Sequence, residues 1–202
     1  ADAGTLDLTE FDLTFTDEAA ANGPTTIGVQ DLSGRLAFQP GQPTTAKLLG
    51  AFMHNDADAG TLLLDTTITN LVASDGSLDL TGAALSGEFV ITDLGAQIVD
   101  TLAAQNGRLA RSINPKSNFT MTLGGTLGAP EAKIDLDAGS LIVRGEVGYD
   151  RTESIVHVNS GFRAQVHTEQ LSYLFSRRLS VGNAGVNRYP SLFLHVEDLV
   201  LP

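Results

Sequence analysis

Apolar and polar residues alternate along GTLDLTEFDLTFTD, Gly4 to Asp17, but the phase changes midway. Leu6 and Leu8 share one parity; Phe11, Leu13 and Phe15 share the other. Successive strand side chains point to opposite faces, so a one-residue slip reverses them. A bulge or short turn near Thr9–Glu10 restores one continuous apolar side. The same grammar recurs. SGRLAFQPGQP predicts a short strand with Leu36 and Phe38, stopped by Pro40 and Gly41. AKLLGAFMHNDADAG predicts a strand followed by a polar turn. TLLLDTTITNLVASDG aligns Leu62, Leu64 and Ile68, shifts phase at Leu71 and Ala73, and turns at Asp75-Gly76. SLDLTGAALSGEFVI predicts the strand after that turn.

Residues 93–106 break the rhythm. Leu94, Ile98 and Leu102 stand four apart with Val99 beside them, the spacing of an amphipathic helix. Thr92 or Asp93 can cap its start and Gly107 can end it. Alternation then resumes at Phe119-Met121-Leu123, at Ala132-Ile134-Leu136 and at Leu141-Val143-Val147-Tyr149. SIVHVNSGFRAQVH predicts a hairpin through Asn159-Ser160-Gly161. A second helix is expected over 168–178, with Thr168 as cap and Leu171, Leu174 and Phe175 as its buried stripe. SLFLHVEDLVLP closes the chain as a strand with Leu192, Leu194 and Val196 on one side.

The strands do not alternate with helices, which argues against a doubly wound parallel sheet. The fold class expected is mainly β: a long curved antiparallel sheet, groove-like or a half-open sandwich, with two short helices. Residues 1–202 read as a single β-rich segment, expected to belong to a longer protein. Half-polar strands give such a sheet one wet face and one apolar face.

Composition sharpens this picture. Of the 202 residues, 42% are hydrophobic but 6% aromatic, with no Trp, so the apolar face is aliphatic. The net charge of -12, with 12 Lys+Arg, argues against nucleic acid as a partner, because cations must displace phosphate counterions. It equally opposes adsorption to an anionic membrane surface. Absence of Cys excludes disulfides and thiolate metal sites. No 18-residue apolar run is present.

Searches for chemistry yield little. His54, His157, His167 and His195 form no i, i+4 pair and read as strand-surface residues. Across the expected 159–161 hairpin, His157 would lie near Arg163 and His167 near Glu153. HNDADAG places Asp56, Asp58 and Gly60 like the opening of a calcium loop, but the bidentate Glu of an EF-hand is missing and a strand follows at once. A polar turn with Asx hydrogen bonds is the expectation. There is no G-x-S-x-G elbow, and the glycines of LGGTLGAP match neither the P-loop nor the dinucleotide fingerprint. Scattered carboxylates single out no glycosidase pair. No catalytic residue, metal or cofactor is expected, and the protein reads as non-enzymatic.

Several phrases have a familiar wording. GGTLGAPEAKIDL, residues 124–136, resembles the recurring G-T-L-x-x-P-x-x-x-L phrase of AsmA-like and TamB-like envelope proteins. LDTTITNLVASDGSLDLTGAALSG is similar to their repeated N-L-x-x-x-x-G-x-L strands. The segment from Ile91 to Gly125, and the closing RYPSLFLHVEDLVLP, suit the same context. The resemblance implies a repeating β-groove, apolar inside and polar outside, that carries phospholipid across the periplasm and serves outer-membrane biogenesis. It implies a place in the cell envelope of a Gram-negative-type bacterium, tethered through other parts of the chain. Phospholipid acyl chains and neighbouring segments of the same chain would be the partners. Phe11, Leu13, Phe15, Leu62, Leu64 and Ile68 are the lipid-contact candidates. The competing expectation is a structural or adhesive extracellular β-solenoid or sandwich module for a protein or glycan. Few aromatics argue against glycan stacking.

Overall fold

The computed structural model describes residues 3–18, 23–102, 110, 115–139, 141–158, 161–167, 191–196 and 199–201. They form one antiparallel sheet of twelve strands. Five long strands come first: β1 (Gly4–Asp17), β2 (Thr25–Phe38), β3 (Thr44–His54), β4 (Ala57–Thr69) and β5 (Ala84–Gly95). Helix α1 (Ala96–Leu102) follows, then β6 (Lys116–Gly125), β7 (Pro130–Asp137) and β8 (Leu141–Asp150). The last strands are β9 (Ile155–Val158), β10 (Phe162–His167), β11 (Ser191–Val196) and β12 (Leu199–Leu201). Each strand from β1 to β8 pairs with the next, so the sheet is an open meander.

The expected bulge in β1 is present, and β2 carries its counterpart. Register shifts between Leu8 and Leu13, and Glu10 has φ 49. Opposite it, Asp31 has φ 53. Two side chains lock the paired kinks. The Glu10 amide donates to Ser33 Oγ at 3.3 Å, and the Asp31 amide donates to Asp12 Oδ1 at 2.9 Å. Similar breaks with positive φ occur at Gly60 in β4 and Asp93 in β5. Each bulge swaps the parity that faces the apolar side, which keeps that side continuous although the sequence changes phase.

Asp56 lies in a two-residue hairpin. Asn55 and Asp56 have φ 49 and 64, as a type I′ turn requires, and His54 pairs with Ala57. The Asn55 side chain reaches the neighbouring strand, where its Oδ1 accepts from the Thr26 amide at 2.8 Å.

Three expectations are corrected. First, no hairpin forms through Asn159-Ser160-Gly161. Both β9 and β10 run antiparallel along the same edge of β8. Val158 faces Val147, which without a slip would put Arg163 opposite Ile142; it faces Arg144 instead. β9 and β10 are therefore collinear on one edge of β8, with registers offset by two residues, and do not pair with each other. Gly145 leaves space for Phe162 at the start of β10, because a Cβ there would lie 2.7 Å from Phe162 Cα. Strands β11 and β12 continue the pattern against β10 and β9.

Second, residues 93–95 are strand and not the first turn of a helix. Leu94 pairs with Ser117 and Gly95 with Lys116, the Asp93 amide donates to Asn118 Oδ1 at 3.0 Å, and Lys116 Nζ lies 3.1 Å from Asp93 Oδ2. The ladder to β6 outcompetes the cap. Leu94 and Ile98 still join one apolar cluster, but from a strand and a helix that meet at a corner. Residues 103–109, including the expected terminator Gly107, and the expected helix over 168–178 lie outside the described residues. Third, the long strand after the Asp75-Gly76 turn begins only at Ala84: Leu78 makes a single antiparallel bridge to Val72, and Asp79 then accepts from the Thr81 and Gly82 amides and holds a turn.

Candidate functional site

Register alone shows how the apolar face is built. Leu8, Gly34, Leu48, Leu64, Phe89, Met121, Ile134 and Gly145 stand opposite one another in turn from β1 to β8. A second row runs Gly50, Leu62, Ile91, Phe119, Leu136, Val143 and Ala164. Neighbouring strands lie about 4.8 Å apart, so the first row is roughly 34 Å long. The rings of Phe89 and Phe119 meet edge to face at 5.9 Å in the middle. Glycines punctuate the rows, and neighbouring side chains fill the space they leave: Leu48 at Gly34, and Leu32 and Val29 at Gly50.

All six sequence-predicted contact residues sit on this face. On β1, Phe11, Leu13 and Phe15 are 46%, 58% and 54% exposed. On β4, Leu62, Leu64 and Ile68 are half-buried between β3 and β5. Leu6, at 67% exposure, extends the open edge. Sequence reasoning missed Ile27, Val29, Leu32 and Phe52, which complete the face beside β1. Phase breaks hid them: Ile27 and Val29 have odd numbers, while Leu32 and Leu36 have even ones, with Asp31 between. Residue Gly50 ties these strands together, since a Cβ there would lie 3.0 Å from both Leu32 Cδ1 and Val29 Cγ1.

One corner is roofed. Helix α1 leaves β5 and brings Ile98, 2% exposed, against Ile27 and Ala59, with Phe52 and Leu94 packed around them. Beside this cluster lies an apolar cleft of about 220 Å³, lined by Leu13, Phe15, Ile27, Val29, Phe52 and Ile98 among others.

The opposite face is charged. Asp7, Arg35, Lys47, Asp65, Glu88, Thr122, Lys133 and Glu146 form one cross-strand line from β1 to β8. Within it, Lys47 Nζ meets Asp65 at 2.8 Å and Arg35 Nε approaches Asp7 at 3.7 Å. One strand-step away, Arg144 Nε contacts both Asp135 oxygens at 3.0 and 3.1 Å. These pairs are well solvated and each contributes at most about 1 kcal/mol. Leu49, Leu63 and Val90 stand opposite one another as an apolar patch on this face, with Leu49 half exposed.

The groups tested for chemistry remain apart. Asp56 is in the hairpin and Asp58 is on β4 opposite Met53, so they do not open a calcium loop. In backbone register His54 pairs with Ile27, His157 with Gly148 and Val200, His167 with Ser191, and His195 with Arg163. The 159–161 hairpin would have put His157 near Arg163 and His167 near Glu153; the collinear strands do neither. Among the described residues no group of three His, Cys, Asp or Glu could hold a metal ion, and no helix is long and apolar enough to cross a membrane.

Comparisons of the chain with protein-family models, with curated proteins and with solved structures found no match.

Proposed function

We propose that this chain is a non-enzymatic segment of a bacterial envelope protein that offers an apolar β surface to phospholipid acyl chains. One observation carries the reading: a continuous apolar face, crossing strand after strand, that is open enough to leave Phe11, Leu13 and Phe15 about half exposed. An uncovered apolar surface of this extent needs an occupant. An acyl chain spans half of a bilayer core, about 15 Å, so the rows have room for it. Each methylene buried contributes about 0.8 kcal/mol without any directional contact, which suits a ligand that slides. The head group would stay in water at an open rim. The likeness of the sequence phrases to AsmA-like and TamB-like proteins supports the same reading and a periplasmic setting, with neighbouring segments of the longer chain as further partners.

The test is photocrosslinking in bacterial cells. Crosslinkers at Leu13 and Leu64 should capture phospholipid, and one at Asp7, on the charged face, should not. Contacts are spread over many residues, so no single alanine substitution should abolish capture. A folded, envelope-located protein that captures no lipid at either inner position would leave the face with a structural or interaction role.

A further inference from the structure

The roofed corner differs from the rest of the apolar face in a way that selects part of a ligand. We infer that the cleft beneath α1 seats the methyl end of a single linear acyl chain, so that a bound lipid is oriented tail-first toward this corner. The inference rests on the acyl-chain reading above and deepens it.

Volume comes first. At about 220 Å³ the cleft exceeds the roughly 150 Å³ apolar cavity known to take up benzene. It is smaller than the pockets of about 300 Å³ and more that enclose drug-sized ligands. It therefore suits the end of a chain and not a whole lipid. Chemistry comes second. The side chains lining it are Leu13, Phe15, Ile27, Val29, Phe52 and Ile98, all apolar. A phosphate, carboxylate or glycerol placed there would lose its water without a partner. Access comes third. Ile27 and Ile98 are buried and pack together as its inner wall, whereas Leu13 and Phe15 are more than half exposed. The cleft thus opens onto the β1 side of the face and is not a sealed packing void.

The chain has no Trp, so a single introduced Trp reports on its own surroundings. Phe15→Trp places one at the mouth of the cleft, where exposure tolerates the larger ring. Phe52→Trp is the second reporter should the first disturb folding, and Leu64→Trp reports on the mid-face. The probes are hexadecanoic acid brominated either at its terminal carbon or beside its carboxylate, and phosphatidylglycerol carrying the terminal bromine on one acyl chain. Terminal bromine should quench the cleft reporter several-fold more than bromine beside the carboxylate, while the mid-face reporter shows no such preference. Stronger quenching by the free acid or by the phospholipid identifies which source supplies the chain; either supports the seat. Equal quenching of the cleft reporter by both brominated acids, with Leu64→Trp also quenched, overturns the seat but keeps the lipid surface. Absence of quenching at every reporter in folded protein overturns both.

Discussion

The two rims of the sheet are built in opposite ways. One rim carries the β2–β3, β4–β5, β6–β7 and β8–β9 connections, and these are stitched to one another by backbone hydrogen bonds. Gly41 donates to Val72, Leu127 to Ala83, Gly128 to Thr81 and Arg151 to Gly128, at 2.8 to 3.0 Å. The other rim carries the two-residue Asn55-Asp56 turn and the long β5–β6 connection, from which α1 folds back over the apolar face. The stitched rim holds its turns by polar groups and leaves Leu78 and Leu80 exposed. The helix rim is held by apolar burial around Ile98. An open sheet lacks a second layer, so its ends must be fixed locally, and this chain uses hydrogen bonds at one and a hydrophobic clasp at the other.

The clasp should be the easier to break. Ile98→Asp removes the central side chain of the cluster and puts a carboxylate among Ile27, Ala59, Phe52 and Leu94. Loss of the apolar contact and burial of an unpaired charge should together cost at least about 3 kcal/mol, read from denaturant unfolding. An unchanged unfolding midpoint would mean that α1 does not hold this rim. The stitched rim is tested by Gly128→Val. A Cβ at Gly128 would stand 2.9 Å from Thr81 O, the atom its own amide donates to, and 3.3 Å from Thr81 Cα. Pushing these turns apart should cost about 1–3 kcal/mol, less than losing the clasp. A cost equal to that of Ile98→Asp would erase the distinction between the rims.

Much of the sheet was legible because its code is local. Alternation marked the strands, and the parity jump from Leu8 to Phe11 announced the β1 bulge, since both halves are strongly apolar. The counterpart in β2 stayed hidden because Gly28, Ser33 and Gly34 dilute the alternation there. Asn159-Ser160-Gly161 misled because composition favours a turn, while the register along β8 is a long-range matter decided by Gly145 and Phe162. Residues 93–95 misled because the apolar positions Leu94 and Ile98 serve one cluster from a strand and from a helix as well as they would from one helix. Parity placed the six candidate residues on the apolar face, where register also puts them; their role as lipid contacts came from the resemblance. The roofed cleft was not, because it joins residues of β1, β2 and β3 to Ile98, and nothing local in the sequence brings them together.

The smallest expected effect concerns how the stitched rim responds to acid. Asp79 Oδ1 accepts from the Gly82 amide at 2.7 Å and the Thr81 amide at 3.0 Å. Those donors, Gly82 first, hold its carboxyl below its ordinary value of 3.8. The Ser77 amide, and then the Ser77 hydroxyl, do the same for Asp75. A carboxyl whose folded value is depressed binds fewer protons when folded. Its contribution is complete above 3.8 and is lost as pH falls through the folded value. Both side chains are fully exposed, so the loss should be local and leave the sheet intact. Amide exchange, corrected for its intrinsic pH dependence, should show protection at Thr81 and Gly82 falling on acidification below 3.8. Protection of mid-strand Thr120 should stay constant. Asp79→Ala should remove the pH dependence and leave those two amides weakly protected throughout. If protection at Gly82 does not change with pH in the unaltered chain, the loop is held by its backbone ties to Gly128 and Leu127, and the stitching owes nothing to Asp79.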